Sequence, residues 1–189
     1  MNRRNAVKRI SALAGGTLST PLIAAVLNGC KPSEKPDWLP EFLTPEQDKL
    51  VIAVSDLIIP ATDTPGAKDA LVNRYVDVVL KDCYAPEDQK NFTDGLNSLN
   101  QSAKDAHGND FIDCSKEEQI ALLKQSDEAA YKGEKTPGKT PFFKQMKELT
   151  LVGFFTSEPG ATQAASYMPI PGAYEGCIPY TEEQKVWAI

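Results

Sequence analysis

Five runs of apolar residues in this 189-residue chain recur every three to four positions, and no run alternates residue by residue as a half-buried strand would. That spacing leaves a helical architecture as the economical solution. The first run is Leu50, Val51, Val54, Leu57 and Ile58. Ahead of it Thr44-Pro45-Glu46-Gln47 supplies an N-cap, a proline at the first helical position and a capping box, and Pro60 stops it, which predicts a helix over 46–59. The second run, Asp69 to Lys81, is rich in valine and could be a strand on propensity alone. Its pairs Leu71/Val72, Tyr75/Val76 and Val79/Leu80 recur every four residues, so the spacing predicts a buried helix face instead.

After Ala85-Pro86 a third helix carries Phe92, Leu96, Leu99 and Ala103 on one stripe, with Gly95 inside it permitting a close helix contact. Gly108 ends it, and Phe111 and Ile112 are expected to plug back toward the core. Ser115-Lys116-Glu117-Glu118 is a second capping box, opening a fourth helix with Ile120 and Leu123 that finishes at Ala129, Ala130 and Tyr131. Lys132 to Lys139 reads as a solvated linker. Thr140-Pro141 starts a fifth helix with Phe142, Phe143, Met146, Leu149 and Val152 facing the core, and Glu158-Pro159-Gly160 ends it. The expected fold is all-α: a single bundle of about five helices with a long irregular C-terminal tail. Ahead of the first helix, the apolar patch from Trp38 to Leu43 is expected to dock the N-terminal arm on the bundle.

Charge and cysteine content narrow the function. Four of the 20 basic residues and none of the 26 acidic ones lie in residues 1–29, which leaves 16 against 26, or −10, for the rest. An acidic body of this kind is unsuited to nucleic acid or to broad adhesion on anionic lipid. Cys30, Cys83, Cys114 and Cys177 form no C-x-x-C pair, so no c-type haem attachment or zinc-ribbon spacing is present in the sequence. His107 is the sole histidine and reads as a surface residue at a helix end. Asp63, between two threonines, and Glu158, beside Ser157, are the only acids that suggest a general base, and neither has a nucleophile motif near it.

The N-terminus reads as a leader. Arg3-Arg4 opens a segment resembling a twin-arginine export signal, and the apolar run from Ile10 to Leu27 is diluted by glycines, serines, threonines and Pro21. It is too mild for a spanning helix, so a signal peptide over 1–29 is expected in place of a retained anchor. Leu27-Asn28-Gly29-Cys30 resembles a lipobox, which makes Cys30 the expected lipidation site. Residues 30–43 then read as a tether, 44–180 as the folded domain and 181–189 as a polar tail. The expected location is the periplasm, lipid-anchored to the membrane.

Two stretches carry the family signal. One is Leu57 to Ala70, LIIPATDTPGAKDA; the other is Leu149 to Tyr180, dense in glycine, proline and aromatics that must be buried against something. With Asp94-Gly95-Leu96, the blocks PATDTPGA, GFFTSEPGA and PGAYEGCIPY resemble, in order, the gluconate 2-dehydrogenase subunit 3 family. The resemblance covers about residues 43–180. It implies an accessory subunit, non-catalytic by itself and without a cofactor of its own. FAD would sit on a large partner subunit of the glucose-methanol-choline type that oxidises sugars, glycosides or sugar acids. A cytochrome c subunit carrying haem, or a quinone, would take the electrons.

On this reading Pro60, Thr62, Thr64, Pro65, Phe154, Phe155, Tyr167 and Tyr174 are candidate interface residues, although the Pro60–Ala67 loop would serve equally as a rigid connector. A lipid-anchored envelope scaffold with an unrelated partner shares the same physical features. With Cys30 set aside for lipid, a Cys83–Cys114 bridge joining two helix ends is expected, and Cys177 is expected to be buried.

Overall fold

The computed structural model describes residues 38–132, 140–170, 172, 173, 177, 179, 181, 182 and 184–188. Residues 40–189 form one compact unit, and of the preceding unit only Trp38 and Leu39 are described. The leader with Arg3 and Arg4, the lipobox at Cys30, residues 31–37, residues 133–139 and Tyr174 lie outside the described residues.

Among the described residues, five α-helices make up the unit: α1 Pro45–Ile58, α2 Val72–Cys83, α3 Pro86–His107, α4 Lys116–Lys132 and α5 Phe142–Phe155. A 3-10 turn, Phe111–Asp113, joins α3 to α4, and a π-helical turn, Gly160–Ala164, follows α5. Among the described residues no sheet forms. A single parallel bridge pairs Ser166 with Trp187.

Both capping boxes form. The Gln47 N–H donates to Thr44 Oγ1 at 3.2 Å while the Thr44 N–H donates to Gln47 Oε1 at 3.1 Å, and Ser115 and Glu118 repeat the exchange at the head of α4. α2 starts at Val72, later than the spacing predicts. Asp69 accepts the Gly66 N–H at 3.0 Å, a single turn closes over 67–71, and Leu71 takes the left-handed conformation with φ 54°. A leucine there is strained by about 1–2 kcal/mol, which breaks the helix one residue before Val72.

α5 is the centre of the bundle, packing on α1, α2, α3 and α4. Most of its surface is apolar, with Lys144, Lys147 and Glu148 directed outward to ion pairs, so most of it belongs inside. Phe143, Met146, Leu149 and Phe154 enter the core beside Val51, Val54, Val76, Leu80, Phe92 and Leu96. The stripe Phe92, Leu96, Leu99, Ala103 is buried as its spacing requires. Gly95 lets α5 approach: a Cβ placed there would lie 2.3 Å from Phe142 Cβ. Phe142 in turn sits edge-on to Phe92, centroids 5.3 Å apart.

Polar side chains secure the connections. Asp77, fully buried, accepts the backbone N–H groups of Glu41, Phe42 and Leu43 at 2.8, 3.1 and 2.7 Å, fixing the segment that enters α1. Asn100 holds the 3-10 turn, accepting the Phe111 N–H at 2.8 Å and donating to Asp110 at 2.6 Å. Phe111 is buried as expected, whereas Ile112 points away from the core and is 42% exposed.

The expected Cys83–Cys114 bridge is absent, and Cys83, Cys114 and Cys177 are all free thiols. α3 lies between the two cysteines in the chain. Cys83 precedes that helix, Cys114 follows it, and 22 helical residues span about 33 Å. Asn100, which holds the 3-10 turn ahead of Cys114, lies roughly 21 Å along α3 from its head. Cys177 is also exposed, contrary to the expectation of burial.

Candidate partner-binding surface

The two stretches singled out in the sequence meet at one end of the bundle. Pro60 to Gly66 folds into a tight loop, with the Thr62 N–H donating to the Thr64 carbonyl at 2.9 Å and the Ala67 N–H returning to the Ile59 carbonyl at 2.9 Å. Glycine is needed at 66, because a Cβ there would lie 2.5 Å from the Ala61 nitrogen. The Thr62 hydroxyl donates to Asp63 at 2.9 Å and, with a smaller contribution from the Lys185 charge, holds the Asp63 carboxyl below the usual carboxylate range.

Lys185 is held beside the segment after α5, its ammonium donating to the Gln163 carbonyl in the π-helical turn. That turn begins where Gly160 lies so close to the end of α5 that a Cβ would be 1.9 Å from the Phe154 carbonyl oxygen. Ser157 closes the corner, donating to the Phe154 carbonyl and accepting the Gly160 N–H at 3.1 Å. Beyond it the chain extends, and Ser166 pairs with the C-terminal segment through N–H donations to Val186 O at 2.8 Å and from Ala188 at 2.9 Å.

Several large apolar side chains of this region are exposed. Phe155 is 50% exposed, Tyr167 54%, Ile170 85% and Val186 81%, and Trp187 and Met168 are each nearly half exposed. On α5, Leu151, Val152 and Phe155 form an outward stripe on a helix whose other faces are in the core. Isolated exposed apolar side chains are ordinary, but a run of them marks a contact surface.

The candidate interface residues divide. Pro60, Thr62, Phe155 and Tyr167 are exposed and Thr64 and Pro65 half-buried. Phe154 is 2% exposed and belongs to the core, which withdraws it from the interface. Val152 moves the other way, from expected core to surface. Residues 181–189 are less polar than their first five residues suggest: Val186 and Trp187 bring apolar surface to the pairing with Ser166. The signal was present as Val-Trp-Ala-Ile at the chain's end, but its place in the fold depends on that one bridge.

The remaining candidates for chemistry are tied into local structure. His107 Nδ1 lies 3.3 Å from Glu118, the acid of the α4 capping box. Glu118 is held below the usual carboxylate range by the Ser115 N–H and hydroxyl. Among the described residues no group of three or more His, Cys, Asp or Glu side chains could hold a metal ion, and no helix is long and apolar enough to cross a membrane.

In comparison with known proteins, the family model of gluconate 2-dehydrogenase subunit 3 matches residues 45–172. No curated protein and no solved structure matches.

Proposed function

From the premise that the chain belongs to the gluconate 2-dehydrogenase subunit 3 family, we propose that it is the non-catalytic subunit that binds and stabilises a flavin-dependent large subunit of the glucose-methanol-choline type. The family name makes it a subunit of a dehydrogenase complex. The finer reading is that the large partner carries FAD and oxidises a sugar, glycoside or sugar acid. A haem-bearing cytochrome c is a further candidate partner. The twin-arginine-like leader with Arg3 and Arg4 would export the assembled pair, and lipidation at Cys30 would hold it at the membrane on the periplasmic side.

One observation carries the binding role: the apolar surface formed by the end of α5, the extended segment after it and Val186-Trp187. Exposed apolar area costs about 25 cal/mol per Å² in water relative to burial, so a partner that covers it gains the corresponding stabilisation. The deciding experiment is affinity capture of the tagged full chain from native membranes. It should bring down a large chain with a flavin absorption band, identified by mass spectrometry. Recovery of the tagged chain alone, or of flavin bound to this chain itself, would overturn the proposal.

A further inference from the structure

A concave pocket of about 550 Å³ lies between α1 and the segment running from the 3-10 turn into α4, with an apolar floor and a basic rim. Ile52 and Leu57 of α1 and Ile112 line it, and Ile112 is the residue that the 3-10 turn leaves out of the core. The rim carries Lys49 from α1, Lys68 from the turn before α2 and Lys116 from the first residue of α4. Among the described residues lining it, Asp56 is the one acid.

These lysines, like Lys124 of α4, differ from most others in the bundle. Six lysines elsewhere in the bundle are ion-paired with a neighbouring carboxylate. Lys49, Lys68 and Lys116 pair with no described residue. Lys116 also stands at the positive end of the α4 dipole, where a cation is disfavoured. Three elements thus bring unneutralised positive charge to one apolar hollow on a body whose overall charge is strongly negative. An acidic partner is repelled over most of that body and attracted here.

Resting on the partner-binding reading above, we infer that this pocket receives an apolar side chain flanked by carboxylates on the large dehydrogenase subunit. The apolar group would fill the floor against Ile52, Leu57 and Ile112. The carboxylates would take the three ammonium groups, giving the contact its orientation and its salt dependence.

The test compares the tagged full chain with the K49E/K68E/K116E variant and, separately, with I112S, in capture of the flavin-bearing large subunit from native membranes. Both variants should melt with the wild type, because the lysines are unpaired and Ile112 lies outside the core. The wild-type complex should weaken as salt is raised, the charge-reversed variant should capture at least tenfold less, and I112S should capture several-fold less. Capture by both variants at the wild-type level, without salt dependence, would overturn the inference and leave the partner-binding reading intact. Altered self-association of the chain with unaltered capture would assign the pocket to a second copy and also overturn it. Failure of the wild type to capture any flavin-bearing chain would sink the partner-binding reading itself.

Discussion

Phe154 and Phe155 are neighbours in the chain with rings packed edge to face, centroids 5.2 Å apart, yet one is 2% exposed and the other 50%. The first closes the core beneath the π-helical turn and the second shows half of its surface to solvent. Their substitutions should therefore separate stability from binding. Phe154→Ala should cost about 3–5 kcal/mol in urea unfolding, the range for an aromatic removed from a packed core. Phe155→Ser should leave the unfolding midpoint nearly unchanged and lower capture of the large subunit at least tenfold, roughly 1.4 kcal/mol. Equal loss of stability in both would mean that Phe155 is structural and not a contact.

Gly95→Ala tests the close approach of α3 and α5. Alanine is the better helix former by about 0.8–1 kcal/mol, so propensity alone predicts a gain. The new methyl would lie 2.2 Å from Phe142 Cγ and 2.3 Å from its Cβ, and Cβ cannot swing away without moving α5. Overpacking of this kind costs about 1–3 kcal/mol, so the variant should be less stable in thermal melts. A raised melting temperature would show that α5 shifts freely.

The bundle was legible because helix-period spacing and caps are local signals. Thr44-Gln47, Ser115-Glu118 and the Phe92 stripe each specify their own element within a few residues, and each forms as read. Long-range placement was not legible. Apolar periodicity puts Val152 on a helix, and only the charged Lys144 and Glu148 on the same stripe mark that face as the outward one. Periodicity cannot show that Cys83 and Cys114, on either side of α3, stay unpaired. Asp77 was invisible for the same reason, since its partners are three backbone groups at least 34 residues away. Of the interface residues, those in the Pro60–Gly66 loop were identified through turn chemistry. Val186 and Trp187 needed the Ser166 pairing to reveal where they lie.

Thiol reactivity should follow burial. Cys83 and Cys177 are exposed, and Cys114 is in the core, where burial first and the nearby Glu118, Asp113 and Asp110 charges next push its thiol pKa up. Only the thiolate reacts quickly. In peptide mapping after brief alkylation of the folded chain, Cys83 and Cys177 should be labelled and Cys114 protected until denaturant is added. A Cys83–Cys114 cross-linked peptide in a non-reducing digest would contradict the arrangement.

Acid should loosen the α3–α4 junction before the rest. Lys104 and Asn100 hold the Asp110 carboxyl below its ordinary value, and the Ser115 N–H and hydroxyl do the same for Glu118. A carboxylate with a lower pKa folded than unfolded adds stability that is fully present above the unfolded value, about 4. That stability is lost as pH falls through the folded one. Melting temperature should therefore hold steady from neutral pH to about 5 and fall below it, and D110N/E118Q should show a shallower fall. An identical acid profile in the double variant would place the sensitivity elsewhere.

The Asp77 carboxylate should matter more than its single position suggests. It is fully buried and meets three successive backbone N–H groups, so removing it strands three donors at the point where Leu43 enters the core. Hydrogen bonds to a charged group contribute about 1.5–3 kcal/mol each, though three on one carboxylate are not additive. Asp77→Ala should therefore lower unfolding free energy by about 3 kcal/mol or more. Asp77→Asn keeps one carbonyl oxygen and should recover part of that loss. Its amide adds donors that face the Glu41 to Leu43 N–H groups, so recovery should be incomplete. Hydrogen exchange gives the local readout: the amides of residues 41–43 should exchange much faster in Asp77→Ala than in the wild type, with those of Phe92 and Leu96 less affected. Uniform acceleration across the bundle would instead mean that the carboxylate supports the whole core and that the entry segment has no independent anchor.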